Sequence, residues 1–302
     1  MAGLSDHTKL MNIILALSSK NIRNWTNKFW EMGYNIASIE PNIGLSFEGN
    51  NKTSNPDILL FSNRYKHFVI IDCKSRTLKD EQTKKYIELK KKPEIIPTYV
   101  SVNVDNPEKI IADCTFVSFY EEICNNDLVK SERIPILHVI KQNNTEKVEK
   151  IELKVGNFQN GNLNRIFPIH INAYIPNHLY PFDLYKEDFP AFVEYVLREI
   201  IKFAWSNERF SEEDLLKNVH KYWDYIDREK KKVFKRKARY ILVKLRDGKL
   251  KDYLKKENNK WFVDVGENLQ RMPWFIKICN SCIEELKKAP IQLLLDDFGI
   301  DG

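Results

Sequence analysis

The sequence has 302 residues, of which 43% are hydrophobic and 30% charged, and its formal net charge is +6. This composition is sufficient for well-packed cores, differs from that of a disordered chain, and permits a polyanionic partner without requiring one. A length of this order favours two domains. No apolar run approaches the about 18 residues of a membrane span, and the N-terminus lacks a signal-peptide cleavage pattern, so we expect a cytoplasmic protein without membrane contact.

The first predicted element is an amphipathic helix over residues 20–36, where apolar positions recur at helical spacing and Gly33 supplies a stop. Its early turn carries no acid. The acids available in this region are Glu31, near the end of the predicted helix, and Glu40, on what we expect to be the first strand. Both are also compatible with ordinary solvated surface charges.

Residues 55–75 predict a β-hairpin. Two apolar runs, 58–61 and 68–71, have the length and composition of buried strands, and a polar turn over 62–66 joins them.

Charged side chains stand at one end of this hairpin. Asp57 opens its first strand, while Asp72 and Lys74 close the second. Side chains two residues apart on a strand share a face, and pairing across the hairpin can bring Asp57 beside them. Two adjacent carboxylates raise each other's pKa unless they share a cation, and their oxygens suit Mg²⁺ or Mn²⁺. A lysine beside such a metal can orient or deprotonate a water, which is the chemistry of phosphodiester hydrolysis.

The pattern Pro56-Asp57 followed by Asp72-x-Lys74 resembles that of the PD-(D/E)xK nuclease superfamily. A charged segment without Gly or Pro follows and predicts a helix on which Gln82 and Tyr86 share a face. A Q-x-x-x-Y helix directly after D-x-K is typical of the RecB-like branch of this superfamily. The resemblance covers about a third of the chain.

The resemblance implies a metal-dependent deoxyribonuclease whose cofactor is Mg²⁺ or Mn²⁺. In this role Lys74 would position the attacking water, and Gln82 would support the water or the scissile phosphate. The implied catalytic residues are Asp57, Asp72, Lys74 and Gln82. The implied metal ligands are Asp57, Asp72, the peptide carbonyl of Cys73 and, as candidates for a third acid, Glu40 or Glu31.

The rest of the first domain reads as a mixed sheet flanked by helices, an α/β (α+β) architecture that the resemblance would make a restriction-endonuclease-like core. Prolines cluster between residues 165 and 184, where we predict a linker or a domain-packing segment. We therefore predict a nuclease-like domain over 1–177 and a mainly helical domain over 178–302. The further strands are predicted at 97–104, 114–120 and 134–140, with a polar hairpin across 141–155.

The second domain begins with a predicted helix over residues 189–206. Ser211, with Asp214 three residues later, predicts the N-cap of the next helix, and a long helix ends at Gly248. A hairpin over 249–265, turning at residues 257–259, completes the pattern. Three helices followed by a two-stranded hairpin resemble a winged-helix domain, a family that commonly places its third helix in the DNA major groove.

Eight of the twelve residues from Arg228 to Arg239 are Arg or Lys. Such a dense basic face is the electrostatic footprint expected for phosphate contacts. A solvated lysine face, or a module that binds only protein, is the alternative. The candidate DNA-binding residues are Lys231, Lys232, Lys235, Arg236 and Arg239.

The five cysteines are odd in number and widely scattered, so they predict no disulfide framework. Cys279 and Cys282 lie at helical spacing among apolar residues, which favours buried core positions over an iron–sulfur site.

Two interpretations of function remain at this stage. The first is a nucleoid-associated DNA endonuclease of restriction, defence, transposition or recombination, whose layout is similar to that of the TnsA transposase subunit. Its partner is DNA, and a homodimer or membership of a larger DNA-processing complex stays open. The second is an inactive adaptor that keeps the nuclease fold and binds DNA or a protein.

Overall fold

The structure is a computed structural model that describes residues 3–47, 50–75, 77–100, 102–143 and 145–288. The chain forms two compact units, and residues 289–302 of the predicted second domain lie outside the described residues. The unit that we call the sheet unit comprises Lys9–Leu179 and Tyr225–Asp227. The one that we call the helical unit comprises Met1–Thr8, Tyr180–Asp224 and Arg228–Gly302.

The elements follow one another in a mixed order of helices and strands. The helices are α1 (Asp6–Leu17), α2 (Lys28–Glu31), α3 (Asp80–Lys91), α4 (Asp127–Ser131), α5 (Gly161–Asn164), α6 (Phe189–Ser206), α7 (Glu212–Val219), α8 (Arg228–Asp247) and α9 (Met272–Lys288). The strands are β1 (Asn35–Ile39), β2 (Ile43–Phe47), β3 (Asn50–Ser54), β4 (Ile58–Ser62), β5 (His67–Lys74), β6 (Ile111–Ser118), β7 (Ile136–Lys141), β8 (Lys147–Val155), β9 (Ile169–Tyr174), β10 (Leu254–Glu257) and β11 (Lys260–Val263).

The sheet unit is built on a seven-stranded sheet with the order β1-β4-β5-β6-β7-β8-β9. The three central strands β5, β6 and β7 are parallel, and the outer neighbours pair antiparallel. Strands β5 and β6 are almost wholly buried, as expected for parallel strands covered on both faces. The mixed α/β class that we predicted is confirmed.

The hairpin predicted at residues 55–75 is confirmed. Strands β4 and β5 pair in an uninterrupted register from Ile58 opposite Ile71 to Ser62 opposite His67. The strands predicted at 114–120 and 134–140 are β6 and β7, and the polar hairpin is the antiparallel pair β7–β8.

The long helix predicted over residues 20–36 is wrong. Only α2 forms there, because Asn21 and Asn24 take left-handed backbone angles, with φ of 60° and 62°, that a continuous helix does not allow. The apolar helix near the N-terminus is instead α1, which precedes this segment and whose residues from Leu10 to Leu17 are completely buried.

Two further expectations are corrected. Residues 97–104 do not form a strand where they are described, because Pro93 and Pro97 shape a short 3₁₀ turn over Pro93–Thr98. Part of the predicted linker is strand β9, which pairs with β8. Its prolines flank the strand, since Pro168 precedes it and Pro176 follows it.

The helical unit matches its predicted elements closely. Helix α6 spans the predicted residues, and Ser211 and Asp214 form the reciprocal capping box of α7. Helix α8 ends one residue before Gly248, and β10 pairs with β11 around Asn258 and Asn259, both with positive φ. Within the described residues, no helix is long and apolar enough to cross a membrane.

Cys279 and Cys282 both lie on α9 with buried thiols. The prediction that they are core residues is confirmed.

Candidate active site

The hairpin β4–β5 brings Asp57 to the end of strand β5. The Asp57 peptide N–H donates to the carbonyl of Ile71 at 3.0 Å, which continues the hairpin ladder by one residue. The Cys73 N–H in turn donates to Asp57 Oδ2 at 2.5 Å. One carboxylate oxygen of Asp57 is therefore fixed by the backbone of the neighbouring strand, and the side chain of Asp57 is turned toward Asp72 rather than toward solvent.

Asp72 and Lys74 lie on the same face of β5, as their spacing predicts. Lys74 Nζ is 2.6 Å from Asp72 Oδ2. Asp72 is buried, so this short contact is a buried ion pair. A carboxylate oxygen with one such partner still has a lone pair for a cation or a water.

Burial raises the pKa of Asp72 well above its usual range, the neighbouring Asp57 carboxylate raises it further, and Lys74 opposes both effects. The two carboxylates are thus a repelling pair that a shared proton or a shared cation would relieve. The same surroundings raise the pKa of the buried Cys73 thiol, first through burial and then through Asp57 and Asp72. Cys73 therefore presents its peptide group to the site, while its side chain alternates to the other face of the sheet.

Helix α3 carries the fourth predicted residue into the site. Lys74 Nζ donates to Gln82 Oε1 at 2.8 Å, and Gln82 Nε2 donates to the Tyr86 hydroxyl at 3.0 Å. The Tyr86 hydroxyl donates to the carbonyl of Asn55 at 3.2 Å, two residues before Asp57. This chain of hydrogen bonds closes a ring from β5 through α3 to the start of β4, and it fixes which way the Gln82 amide points.

The two candidates for a third acid have different surroundings. Glu40 directly follows β1, and its N–H donates to the carbonyl of Asp57 at 2.8 Å. Its charge also contributes to the raised pKa of the Cys73 thiol. Glu31 is exposed at the end of α2, where it pairs with Lys28 at 2.8 Å. The structure therefore brings Glu40 to the side of Asp57 and shows Glu31 engaged on its own helix.

The carboxylates of this site decide whether it can hold the metal that the resemblance implies. Among the residues that the structure describes, no three His, Cys, Asp or Glu side chains cluster closely enough to hold a metal ion. Two carboxylates do meet, since the charge of Asp57 helps to raise the pKa of the buried Asp72. Mg²⁺ usually keeps several waters and needs only one or two protein carboxylates, so the residues fit a partly hydrated ion.

The candidate DNA-binding residues on α8 are engaged in contacts within the helical unit. Lys235 Nζ lies 3.1 Å from Glu213, and Arg239 Nε donates to Glu212 at 2.9 Å. Lys232 pairs with Glu229 on its own helix at 2.7 Å. Much of the predicted positive face is thus neutralised by acids of α7 and of α8 itself.

Glu212 on α7 joins α8 to strand β11, because it accepts hydrogen bonds from both. It is buried and accepts a second hydrogen bond from Trp261 Nε1 on β11 at 3.1 Å. Burial raises its pKa, but the hydrogen bonds from Arg239 and Trp261 outweigh burial and the net pKa is lowered. Arg239 is therefore a structural partner of a buried charge.

Among the candidates on α8, Lys232 and Arg236 are exposed, whereas the half-buried Lys231 donates to the Asp224 carbonyl at 3.2 Å and lies over the Trp223 ring. Nothing in the sequence pattern alone could separate these residues from Lys235 and Arg239, because their acidic partners lie on another helix.

Two family models match the chain, and the description of neither one names an activity. A family model for the MJECL32 domain matches residues 6–185, and one for a domain of unknown function (DUF8601) matches residues 185–292. The uncharacterized protein MJECL32 of Methanocaldococcus jannaschii is 33% identical over 175 residues. That match covers 55% of this chain and 38% of the relative, so the chain spans well under half of the relative's length. No solved structure matches the chain.

Proposed function

The chain belongs to the MJECL32 domain family, and we propose that it is a metal-dependent deoxyribonuclease of the PD-(D/E)xK type. One observation carries the proposal: Asp57 at the start of β4, Asp72 and Lys74 on β5, and Gln82 on α3 meet in one cluster joined by hydrogen bonds and an ion pair. Stability of the fold does not require this cluster, because burying two repelling carboxylates costs free energy. Costly polar clusters of this kind are typical of functional sites.

In the proposed reaction a water attacks phosphorus, the bond to the leaving oxygen breaks, and the proton that the water loses passes through solvent to the leaving oxygen. A Mg²⁺ or Mn²⁺ ion held by Asp57 and Asp72 would supply charge stabilisation and a more acidic water. The peptide carbonyl of Cys73 and the carboxylate of Glu40 are the further oxygens available beside these two residues. Their positions at the ends of rigid strands would limit movement of the donor atoms.

Lys74 is the residue that would meet the reacting groups. An ammonium has three N–H donors, and the contacts to Asp72 and Gln82 occupy two of them. The third is left to orient the attacking water or to bind a phosphate oxygen. Gln82 would act through Lys74 by holding its ammonium in one direction, and Tyr86 would act through Gln82.

We propose that the helical unit is a winged-helix-like module, with α6, α7 and α8 as its three helices and β10–β11 as its wing. The order of these elements supports the assignment. Lys232 and Arg236 would then be the phosphate contacts of α8, because they are exposed and Lys235 and Arg239 are engaged with α7. A nucleoid-associated location would follow from this function.

The alternative is an adaptor that retains the fold without catalysis. It is favoured by the observation that, within the described ranges, no third acid joins Asp57 and Asp72 closely enough to complete a three-ligand metal group. In that case Lys74 would serve as a permanent counter-ion that satisfies the buried acid pair in place of a metal.

Cleavage of supercoiled, linear and branched DNA, with and without Mn²⁺, separates the two proposals. The nuclease predicts Mn²⁺-dependent products that disappear in Lys74→Ala. The adaptor predicts no products from any form of DNA, together with unchanged DNA or protein binding in Lys74→Ala.

A further inference from the structure

On one face of the three parallel strands, the side chains change from apolar to polar toward the carboxyl ends. On the face that α3 covers, their side chains are apolar and pack in one core cluster with Tyr86 and Leu89 of α3. The apolar members of this face are Phe68 and Ile70 on β5, Cys114 and Phe116 on β6, and Ile136 on β7. The next residues on the same face are polar on all three strands. They are Asp72 and Lys74 on β5, Ser118 on β6 and His138 on β7.

Strand register places the last three of these in one row. Lys74 pairs with Ser118 across β5–β6, and Ser118 pairs with His138 across β6–β7. Residues paired in this way point to the same side of a sheet. Neighbouring strands are about 4.8 Å apart, so the Cα atoms of Lys74 and His138 are about 10 Å apart. The polar row therefore starts at the candidate active site and runs across the sheet away from Asp57.

One ring nitrogen of His138 is buried without a hydrogen-bond partner among the described residues. Its Nε2 lies 3.3 Å from the carbonyl of Phe119, whereas its Nδ1 is this buried nitrogen. An unpartnered buried ring nitrogen costs free energy, which a ligand or an ordered water would recover. With its hydrogen on Nδ1, the imidazole donates to an anion at that position.

Ser118 stands between Lys74 and His138 in the row. Its hydroxyl oxygen accepts the Tyr120 N–H at 2.9 Å, which leaves its own hydrogen available to donate. The row thus has an ammonium and an imidazole at its two ends, with the fully buried Ser118 hydroxyl between them. These are groups that proteins use to hold phosphate oxygens.

Strand β8 carries Glu152 next to this row, and an unpaired carboxylate there would repel an anion. Glu152 on β8 pairs with His138 in the sheet register. It is contacted by Lys150 at 2.6 Å and Lys154 at 2.9 Å, and these two hydrogen bonds lower the pKa of Glu152 to about 2. Its negative charge is therefore matched by two lysines next to the row.

We propose that His138, beside the buried Ser118, forms a subsite for the phosphate next to the scissile one, so that a nucleic acid strand crosses the carboxyl ends of β5, β6 and β7. This inference rests on the proposed nuclease function and adds to it the class of substrate, a polynucleotide with at least two phosphates. Cα atoms about 10 Å apart leave room for two consecutive phosphates of an extended strand between Lys74 and His138. The carboxyl ends of parallel strands are also where open sheets commonly bind ligands.

The experiment compares two substrates that differ in the number of phosphates. Bis(p-nitrophenyl) phosphate offers a single phosphodiester, and a 20-nucleotide DNA, supplied as single strand and as duplex, offers many. Wild type and His138→Ala are assayed on both with Mn²⁺. His170→Ala is the matched control, because His170 is an exposed histidine on β9 of the same sheet.

For His138→Ala we expect KM for DNA to rise about tenfold or more, the size of one hydrogen bond to a charged group, with kcat within about twofold. Hydrolysis of bis(p-nitrophenyl) phosphate should stay at the wild-type rate, and His170→Ala should match wild type on both substrates. A second pair of variants tests the atom involved. His138→Asn keeps an amide donor near the Nδ1 position and should recover most of the DNA affinity, whereas His138→Gln should not.

Three outcomes would overturn the subsite. They are unchanged DNA cleavage in His138→Ala with wild-type melting temperature, an equal loss on both substrates in a folded variant, and an equal KM effect in His170→Ala. If wild type itself hydrolyses neither substrate, the proposed nuclease function fails and the subsite fails with it. If wild type hydrolyses bis(p-nitrophenyl) phosphate in a Lys74-dependent manner and any of the first three outcomes is seen, only the subsite is lost.

Discussion

A hydrogen bond of 2.8 Å joins Lys74 Nζ at the end of β5 to Gln82 Oε1 in the first turn of α3. Because Gln82 is also bonded to Tyr86, the lysine is held from the helix as well as by Asp72 on its own strand. A lysine side chain otherwise has many rotamers, and fixing it costs entropy that only specific contacts recover. The direction of the Lys74 ammonium is therefore a property of the strand and the helix together.

The first prediction concerns Gln82. Gln82→Ala should lower the rate of DNA cleavage by about 10- to 100-fold, as is usual when a residue that positions a functional group is removed. Metal binding should be unchanged, because the carboxylates stay in place. Lys84→Ala, an exposed change on the same helix, serves as control and should cleave like wild type. Wild-type activity in Gln82→Ala would show that the hydrogen bond to Lys74 has no part in the reaction.

The second prediction concerns the acid pair. Asp72→Asn removes a charged ligand, so Mn²⁺ binding in calorimetry should be lost. Lys74→Ala removes a cation next to the pair and should keep or strengthen Mn²⁺ binding while abolishing cleavage. The exposed Asp127→Asn is the control for loss of one negative charge. Equal Mn²⁺ affinity in wild type and Asp72→Asn would exclude Asp72 as a ligand.

The third prediction separates the two kinds of basic residue on α8. Reversing the exposed Lys232 and Arg236 to Glu should weaken DNA binding and flatten the slope of log K against log salt by about one unit for each lost phosphate contact. The protein should remain folded. A double reversal of Lys217 and Lys277, basic residues outside α8, should leave the slope unchanged. If the α8 variant binds DNA like wild type, the helical unit is a protein-binding module.

The fourth prediction concerns Arg239, which the sequence grouped with the DNA contacts. Arg239→Ala removes a hydrogen bond to the buried Glu212 and should lower the free energy of unfolding by about 1–2 kcal/mol, discounted for the exposure of the guanidinium. Urea unfolding measures the change. Arg236→Ala, one turn away and exposed, should have almost no effect. Equal stability of the two variants would contradict the structural role of Arg239.

The fifth prediction is a pH dependence of stability. Burial, and secondarily the charge of Lys230, lowers the pKa of His220 to about 3, and both ring nitrogens lack hydrogen-bond partners within the described part of the chain. The unfolded chain binds a proton below about pH 6.5 and the folded protein does not, so the stability is complete above that pH and falls as the pH drops toward 3.

The replacement His220→Phe tests this assignment, because a phenyl ring suits the surrounding aromatic cluster and cannot be protonated. Between pH 6 and pH 4 wild type should lose about 2 kcal/mol more unfolding free energy than His220→Phe. The exposed His170→Phe should follow the wild-type curve. Parallel curves for wild type and His220→Phe would mean that His220 does not titrate in this way.

The sequence predicted the parts of the site that depend on local pattern. The hairpin, the shared face of Asp72 and Lys74, and the helical spacing of Gln82 and Tyr86 all follow from short-range periodicity, and the structure contains each of them. It missed what tertiary contacts decide. Left-handed angles at Asn21 and Asn24 end a pattern that looked helical, and the partners of Lys235 and Arg239 lie on α7.

His138 illustrates the limit most clearly. It stands 64 positions after Lys74 in the sequence, and no motif links the two residues. They share a row only because β5, β6 and β7 are consecutive parallel strands with a fixed register. Such a relation becomes visible once the strand order is known, since pairing in a sheet is set by long-range packing.

The central claim is that Lys74 and the acid pair hydrolyse phosphodiesters with the help of a divalent metal. The most direct measurement is the rate of bis(p-nitrophenyl) phosphate and plasmid DNA hydrolysis by the full chain, with Mn²⁺ and with chelator, for wild type and Lys74→Ala of equal melting temperature. The account predicts Mn²⁺-dependent hydrolysis by wild type and a loss of at least about 100-fold in Lys74→Ala. Hydrolysis that survives the chelator, or that is equal in the two proteins, would contradict it.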